Sequence, residues 1–320
     1  MPAMTDPAAL YASLGAAARR IAPHIRRTPL LDAGPLPGGE PGSRLRLKLE
    51  NLQVTGSFKA RGATNKMLTL PPAQVARGLV TASGGNHGLG VAYAGRLAGA
   101  PVTIYLPANV PAAKAAKLER WGAKVVRVGT VWDEANEAAL AAAEREGTTY
   151  LHPFADLDVI AGQGTLALEA LDDEPATDLM VAAIGGGGLI AGVATAVKGR
   201  SSGIRMIGVE ATGAPKIHQS LRAGRVIELA EVTTAANTLA PRASHELNFA
   251  IIQEKVDDVV LVTDDEMRAA AQWLWFEAGV AAELSGAASL AAILTGKIPL
   301  AGVRSACAVV CGAGTDGLAV

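Results

Sequence analysis

The sequence predicts an α/β protein whose strands lie in open parallel sheets. Short apolar runs, rich in β-branched residues and nearly continuous, recur along the chain. That is the pattern of strands covered on both faces. Longer alanine-rich segments with helical spacing separate them, and the alternation is that of strand–helix–strand units.

The elements read in order as follows. Leu45-Arg46-Leu47-Lys48-Leu49-Glu50 is a short strand-like run, and SFKARG follows it at residues 57–62. Further runs stand at residues 79–81, 102–106, 125–128, 179–184, 206–209 and 259–262. The clearest helix covers residues 132–146, with Thr130 as candidate N-cap, Asp133 three residues on and Gly147 as the stop. Residues 35–42 and 296–302 read as loops, and no internal repeat is present. Ala306-Cys307-Ala308-Val309-Val310-Cys311 reads as a buried strand. Four residues of strand set its two cysteines roughly 13 Å apart, beyond the about 7 Å a disulfide spans.

Composition narrows the function classes. The chain has 320 residues, half of them hydrophobic, enough for one large domain or two moderate ones. With 29 basic and 30 acidic residues the net charge is −1, so nothing calls for nucleic acid or an anionic membrane as partner. No apolar run reaches membrane-spanning length, and the first thirty residues carry no secretory signal pattern. A cytoplasmic protein is the expectation. The chain stops eight residues after Gly312, so no regulatory domain is expected beyond it.

Two glycine loops and one lysine carry the chemistry. Gly185, Gly186, Gly187 and Gly188 stand between a strand and the helical segment that starts near Leu189. This geometry aims free backbone N–H groups and the positive end of a helix dipole at an anion such as a phosphate. No Gly-Lys-Ser/Thr follows, so it is not a Walker loop. Gly186, Gly188 and Ala191 satisfy G-x-G-x-x-A, with Glu210 closing the next strand, so NAD binding is a fair reading of this stretch alone. Ser83-Gly84-Gly85-Asn86-His87-Gly88 is a second loop of the same kind, suited to a substrate carboxylate, with His87 read as capping or structural. Lys59 stands between Phe58 and Ala60 in SFKARG.

Taken together, SFKARG, SGGNHG and GGGGL resemble the fold-type II pyridoxal-phosphate enzymes, specifically the threonine/serine dehydratase and serine racemase branch. The resemblance also takes in Arg27-Thr28-Pro29-Leu30, His152-Pro153-Phe154, Ala161-Gly162-Gln163-Gly164-Thr165, Gly208-Val209-Glu210 and Cys311-Gly312-Ala313-Gly314, and so covers nearly the whole chain. It implies a tryptophan-synthase-β-like fold. A larger cofactor-binding domain is expected from residues 1–70 and 155–320, and a smaller mobile domain from 71–154, carrying the asparagine loop. By the resemblance Lys59 forms the Schiff base with pyridoxal 5'-phosphate and Phe58 packs on its ring. Gly185, Gly186, Gly187, Gly188 and Leu189 hold its phosphate, Asn86 meets the ring hydroxyl, and Cys311 faces the pyridine nitrogen. Ser83, Gly84, Gly85, Asn86 and His87 bind the amino-acid substrate. The implied activity is β-elimination of a 3-hydroxy amino acid, L-threonine or L-serine, to a 2-keto acid and ammonia, in a homodimer.

Three departures from the family pattern stand out. Serine racemases of this group carry a second serine directly after the position of Ser83; here it is Gly84, which has no proton to give. Relatives bind a divalent cation through Glu, a backbone carbonyl and Asp; Glu210 and Ala214 match, but Lys216 stands at the Asp position, where its ammonium can replace the metal. Glu283-Leu284-Ser285-Gly286 replaces the usual Glu-Pro-Ser-Gly. Arg242 and His245 face either the substrate or solvent, and an arginine facing it favours 3-hydroxyaspartate.

Overall fold

The computed structural model describes residues 7–318; residues 1–6 and 319–320, the two ends of the expected larger domain, lie outside the described residues. Among the described residues ten strands follow one another: β1 Leu30–Pro35, β2 Arg44–Leu49, β3 Leu79–Ala82, β4 Val102–Leu106, β5 Lys124–Arg127, β6 Thr149–Tyr150, β7 Leu179–Ala183, β8 Arg205–Ala211, β9 Asp258–Val262 and β10 Ser305–Val310. They form two open sheets, one of order β1-β2-β10-β7-β8-β9 and one of order β5-β4-β3-β6. Helices pack against the sheets, as the expected α/β fold requires.

The pairings of these strands are parallel except one: β1 runs antiparallel to β2 at the edge of the larger sheet. The apolar runs did not announce β1. Its residues are only partly buried and it ends in Pro35, which an edge strand tolerates because no neighbour needs its N–H. The two-residue β6 was likewise too short to show a pattern. By contrast every residue of β7 and of β10 is buried, which is why those strands read as unbroken apolar runs. One helix start differs from expectation. The helix Trp132–Glu146 is preceded by Val131 rather than capped by Thr130, and the Glu134 carboxylate reaches back to accept the N–H groups of Thr130 at 2.5 Å and Val131 at 3.3 Å. Gly147 ends it in the left-handed conformation, as expected.

Each sheet delivers a loop at the C-terminal ends of its parallel strands, where open α/β sheets place their ligands. β3 runs into Ser83, β7 into Gly185 and β10 into Cys311. The helix Lys59–Thr69 crosses between the sheets, against the helices Asn86–Ala98 and Leu157–Asp173. Its approach to the latter depends on glycine: a Cβ on Gly162 would lie 2.6 Å from the Gly62 Cα and 2.7 Å from the Arg61 carbonyl oxygen. Among the described residues no helix is long and apolar enough to cross a membrane.

Candidate active site

Lys59 is fixed from both directions. In front of it, Ser57 bridges to Gly312, and the Phe58 N–H donates to the Cys311 carbonyl at 3.2 Å. Behind it, the wholly buried Arg61 guanidinium meets Glu50 at 2.7 Å and Glu169 at 2.8 Å, and Glu169 also accepts from buried Lys48 at 2.6 Å. Two carboxylates thus satisfy two buried cations, and removing one partner of such a set costs ~3–5 kcal/mol. The Lys59 amine donates to the Pro153 carbonyl at 2.6 Å and sits 5.1 Å from the centre of the Phe58 ring. Burial pulls its pKa down to about 8, against the opposing pull of Cys311 and Glu283.

The glycine loop closes the end of β7. Among the described residues, the N–H groups of Gly185, Gly186, Gly187 and Gly188 meet no backbone carbonyl. They stand at the start of the helix Gly188–Arg200, with Leu189 buried in its first turn. Gly187 has φ +96°, which a side chain would strain. A Cβ on Gly186 would overlap the Phe154 ring. Asn248 and Ser244 donate to the Gly186 carbonyl at 2.9 and 3.0 Å and hold the loop from outside.

The asparagine loop follows β3. Ser83 Oγ accepts the Gly85 N–H at 3.3 Å. Gly84 faces Leu106 and Val110, while a Cβ on Gly85 would meet nothing within 4 Å. The Asn86 amide donates to Glu283 Oε1 at 2.9 Å. His87 turns inward: its Nε2 lies 2.9 Å from the Leu151 carbonyl, the ring is buried, and burial holds its pKa at about 3. The side chain is thus structural, and the His87 backbone, in the first turn of the helix Asn86–Ala98, is the part left for a ligand. Glu283 was an open question in the sequence and is a junction in the structure. It accepts from Asn86 and, at 3.3 Å, from Thr238 Oγ1, and burial, helped by Asp316, raises its pKa to about 7. Thr238 also bonds Ser285, whose carbonyl takes the Cys311 thiol at 3.5 Å. Burial pushes that thiol well above its ordinary range, so it is neutral.

The sequence matches, over residues 21–312, the family model described as "Pyridoxal-phosphate dependent enzyme". The chain belongs to this family. It is 42% identical over 265 residues to the L-threonine ammonia-lyase of Thermotoga maritima, a match spanning 83% of this chain and 66% of that protein. Among solved structures, a threonine deaminase from the organism abbreviated T.th. superposes with TM-score 0.86 at 37% identity, covering 95% of this chain and 97% of that one. Maize serine racemase superposes with TM-score 0.89 at 33% identity, covering 95% and 93%.

The residues present fit this family's cofactor. Four free N–H groups at a helix start suit a phosphate, and a buried amine with a lowered pKa suits an aldehyde. The family's divalent cation does not fit. The Lys216 ammonium lies 3.1 Å from Glu210 Oε1 and 3.3 Å from the Ala214 carbonyl, the two groups the resemblance offered to a metal. Among the described residues no cluster of three or more His, Cys, Asp or Glu side chains is placed to hold a metal. The same contacts dispose of NAD binding. Glu210 is wholly buried and accepts from Lys216, from the Ile217 N–H at 3.0 Å and from the His218 N–H at 2.8 Å, so no oxygen is free for a ribose. Arg242 is exposed and pairs with Glu228 at 3.3 Å, which removes the argument for 3-hydroxyaspartate.

Sequence reasoning missed several members of the site. Asn248, Ser244 and Thr238 lie far along the chain from the loops they touch and sit in no glycine motif, so no local pattern marked them.

Proposed function

We propose that the protein is an ammonia-lyase that converts L-threonine or L-serine to the 2-keto acid and ammonia. Pyridoxal phosphate, when bound, supplies an aldehyde for the substrate amine and a sink for the electrons left at Cα. Residues 185–188 and Leu189 would hold its phosphate through their N–H groups, Phe58 would pack against its ring, and Asn86 would meet the ring hydroxyl. Ser83 and the N–H groups of the asparagine loop orient the substrate carboxylate. The Lys59 Nζ takes the Cα proton, and its lowered pKa leaves a useful share of neutral base near pH 7 to 8. The Cα–H and Cβ–O bonds break, the hydroxyl takes up one proton and leaves as water so that the proton taken by Lys59 is balanced, and the released enamine tautomerises to an imine that one water hydrolyses to keto acid and ammonia. Cys311, a neutral thiol, would stand by the ring nitrogen as a partner that carries no charge.

What supports the reading is the buried Lys59 amine, its pKa lowered to about 8, together with the N–H groups of residues 185–188 that meet no backbone carbonyl among the described residues. The racemase alternative rests on the likeness to maize serine racemase. It needs an acid on the face of Cα opposite Lys59, and residue 84 is glycine. Supplying L-threonine and L-serine to the holoenzyme and measuring keto acid, ammonia and the enantiomers of remaining substrate tests the choice. Keto acid and ammonia are expected to dominate; the D-enantiomer as main product would reverse the assignment.

A further inference from the structure

We infer that Lys216 is a built-in cation that takes the place of the family's metal and holds the phosphate-binding loop in register. Its ammonium is wholly buried and surrounded by four acceptors from three chain segments: Glu210 Oε1 at 3.1 Å, Leu239 O at 3.2 Å, Ala214 O at 3.3 Å and Ile184 O at 3.4 Å. No group in this cage donates to it, so the cage suits a positive charge and offers nothing to an amine lone pair. Charge balance agrees, since Glu210 is wholly buried and Lys216 is the cation it meets.

The cage sits directly under the glycine loop. Ile184 is the residue before Gly185. Leu239 follows Thr238, whose carbonyl abuts Gly185 so closely that a Cβ there would overlap it. Thr238 in turn bonds Glu283 and Ser285. One ammonium therefore ties the end of β7, the 237–239 turn and the turn after β8 into one unit. Lys216 touches neither loop amides nor reacting atoms; it is a positioning residue. A covalently attached cation cannot be chelated or lost, so the protein needs no divalent ion for order at this point.

The inference rests on residues 185–188 holding the phosphate only for its cofactor arm. The first arm uses wild-type holoenzyme: elemental analysis, then thermal unfolding with EDTA, with Mg²⁺ and with Ca²⁺. No bound divalent metal and an unchanged unfolding temperature are expected. Stoichiometric metal, or a rise in unfolding temperature with either ion, overturns the replacement of the metal. The second arm uses Lys216→Ala, which leaves an acceptor-lined hole, and Lys216→Met, which fills it without charge. Both should bind pyridoxal phosphate at least about tenfold more weakly, read by absorbance titration. Ammonium or methylammonium chloride should restore unfolding temperature and affinity to the alanine variant and not to the methionine variant. No ammonium rescue of unfolding temperature in Lys216→Ala overturns the positioning role. If neither variant folds, thermal unfolding of Lys216→Arg decides: a charge-driven cage keeps part of the stability, and complete loss rejects it. Failure of the cofactor arm alone, with rescue of unfolding temperature intact, would instead point to a different phosphate site.

Discussion

The two glycine loops begin as the same local design, a buried parallel strand running into glycines and then a helix, yet they are held in opposite ways. The loop after β7 is fixed on every side. Asn248 and Ser244 grip the Gly186 carbonyl, Phe154 fills the space a side chain would need, and the Lys216 cage underlies Ile184. The loop after β3 is held lightly, by Ser83 on the Gly85 N–H and by Asn86 reaching across to Glu283, with open space at Gly85. The difference teaches how to divide the labour. A rigid cradle suits a ligand that stays for many turnovers, whereas a loosely held loop suits one that arrives and leaves in each cycle.

The largest expected effect comes from Lys59, the base that neither loop supplies. Lys59→Ala should lower ammonia release by about 10³-fold or more, while the β7 loop still takes up cofactor without a covalent link. Near-normal turnover, or loss of all cofactor binding, would break the division between holding and chemistry.

Next comes a matched pair of glycine substitutions. Gly186→Ala drives a methyl into the Phe154 ring and should weaken cofactor affinity by about tenfold to a hundredfold, an overpacking effect of ~1–3 kcal/mol. Gly85→Ala meets nothing within 4 Å and should leave cofactor affinity unchanged, acting on KM alone. Absorbance titration and steady-state kinetics on both variants separate the loops; equal effects on cofactor affinity would erase the contrast.

Glu283 offers a pH test of the junction between the loops. Its pKa rises from 4.5 unfolded to about 7 folded, so between these values the folded state binds the extra proton. Stability should therefore fall as pH rises from about 4.5 to about 7, by up to ~3 kcal/mol. Glu283→Gln should flatten that slope in urea titrations across the window. An unchanged slope would show that the carboxylate is not the group responsible.

The smallest effect is at Gly84. A Cβ there would lie 3.3 Å from Leu106 and 3.4 Å from Val110, so a serine fits after shifts of a few tenths of an ångström. Gly84→Ser should raise the racemised fraction of unreacted L-serine slightly above wild type by chiral chromatography. No change would show that a hydroxyl at 84 does not reach the open face of Cα.

The sequence by itself determined the fold class, because β7 and β10 are buried along their whole length and are apolar but for Ser305 at the start of β10, and β4 emerged with the bounds its pattern suggested. It also marked both loops and Lys59, since glycines at strand ends and a lysine beside an aromatic are local signals. It named Lys216 as the residue displacing a metal, but only against a family pattern. What tertiary structure alone decided is everything that needs two distant segments at once. Asn86 meets Glu283 across 197 positions of sequence, and Asn248 meets Gly186 across 62. Such contacts leave no periodicity, because each partner is one polar residue whose meaning depends on a neighbour that folding brings to it. The antiparallel β1 was hidden for a related reason: a half-exposed edge strand buries too little to impose a pattern on its own residues. The burial that moves Lys59 toward neutrality and Glu283 toward protonation is likewise a property of the assembled cleft, since desolvation comes from surrounding atoms and not from the residue itself.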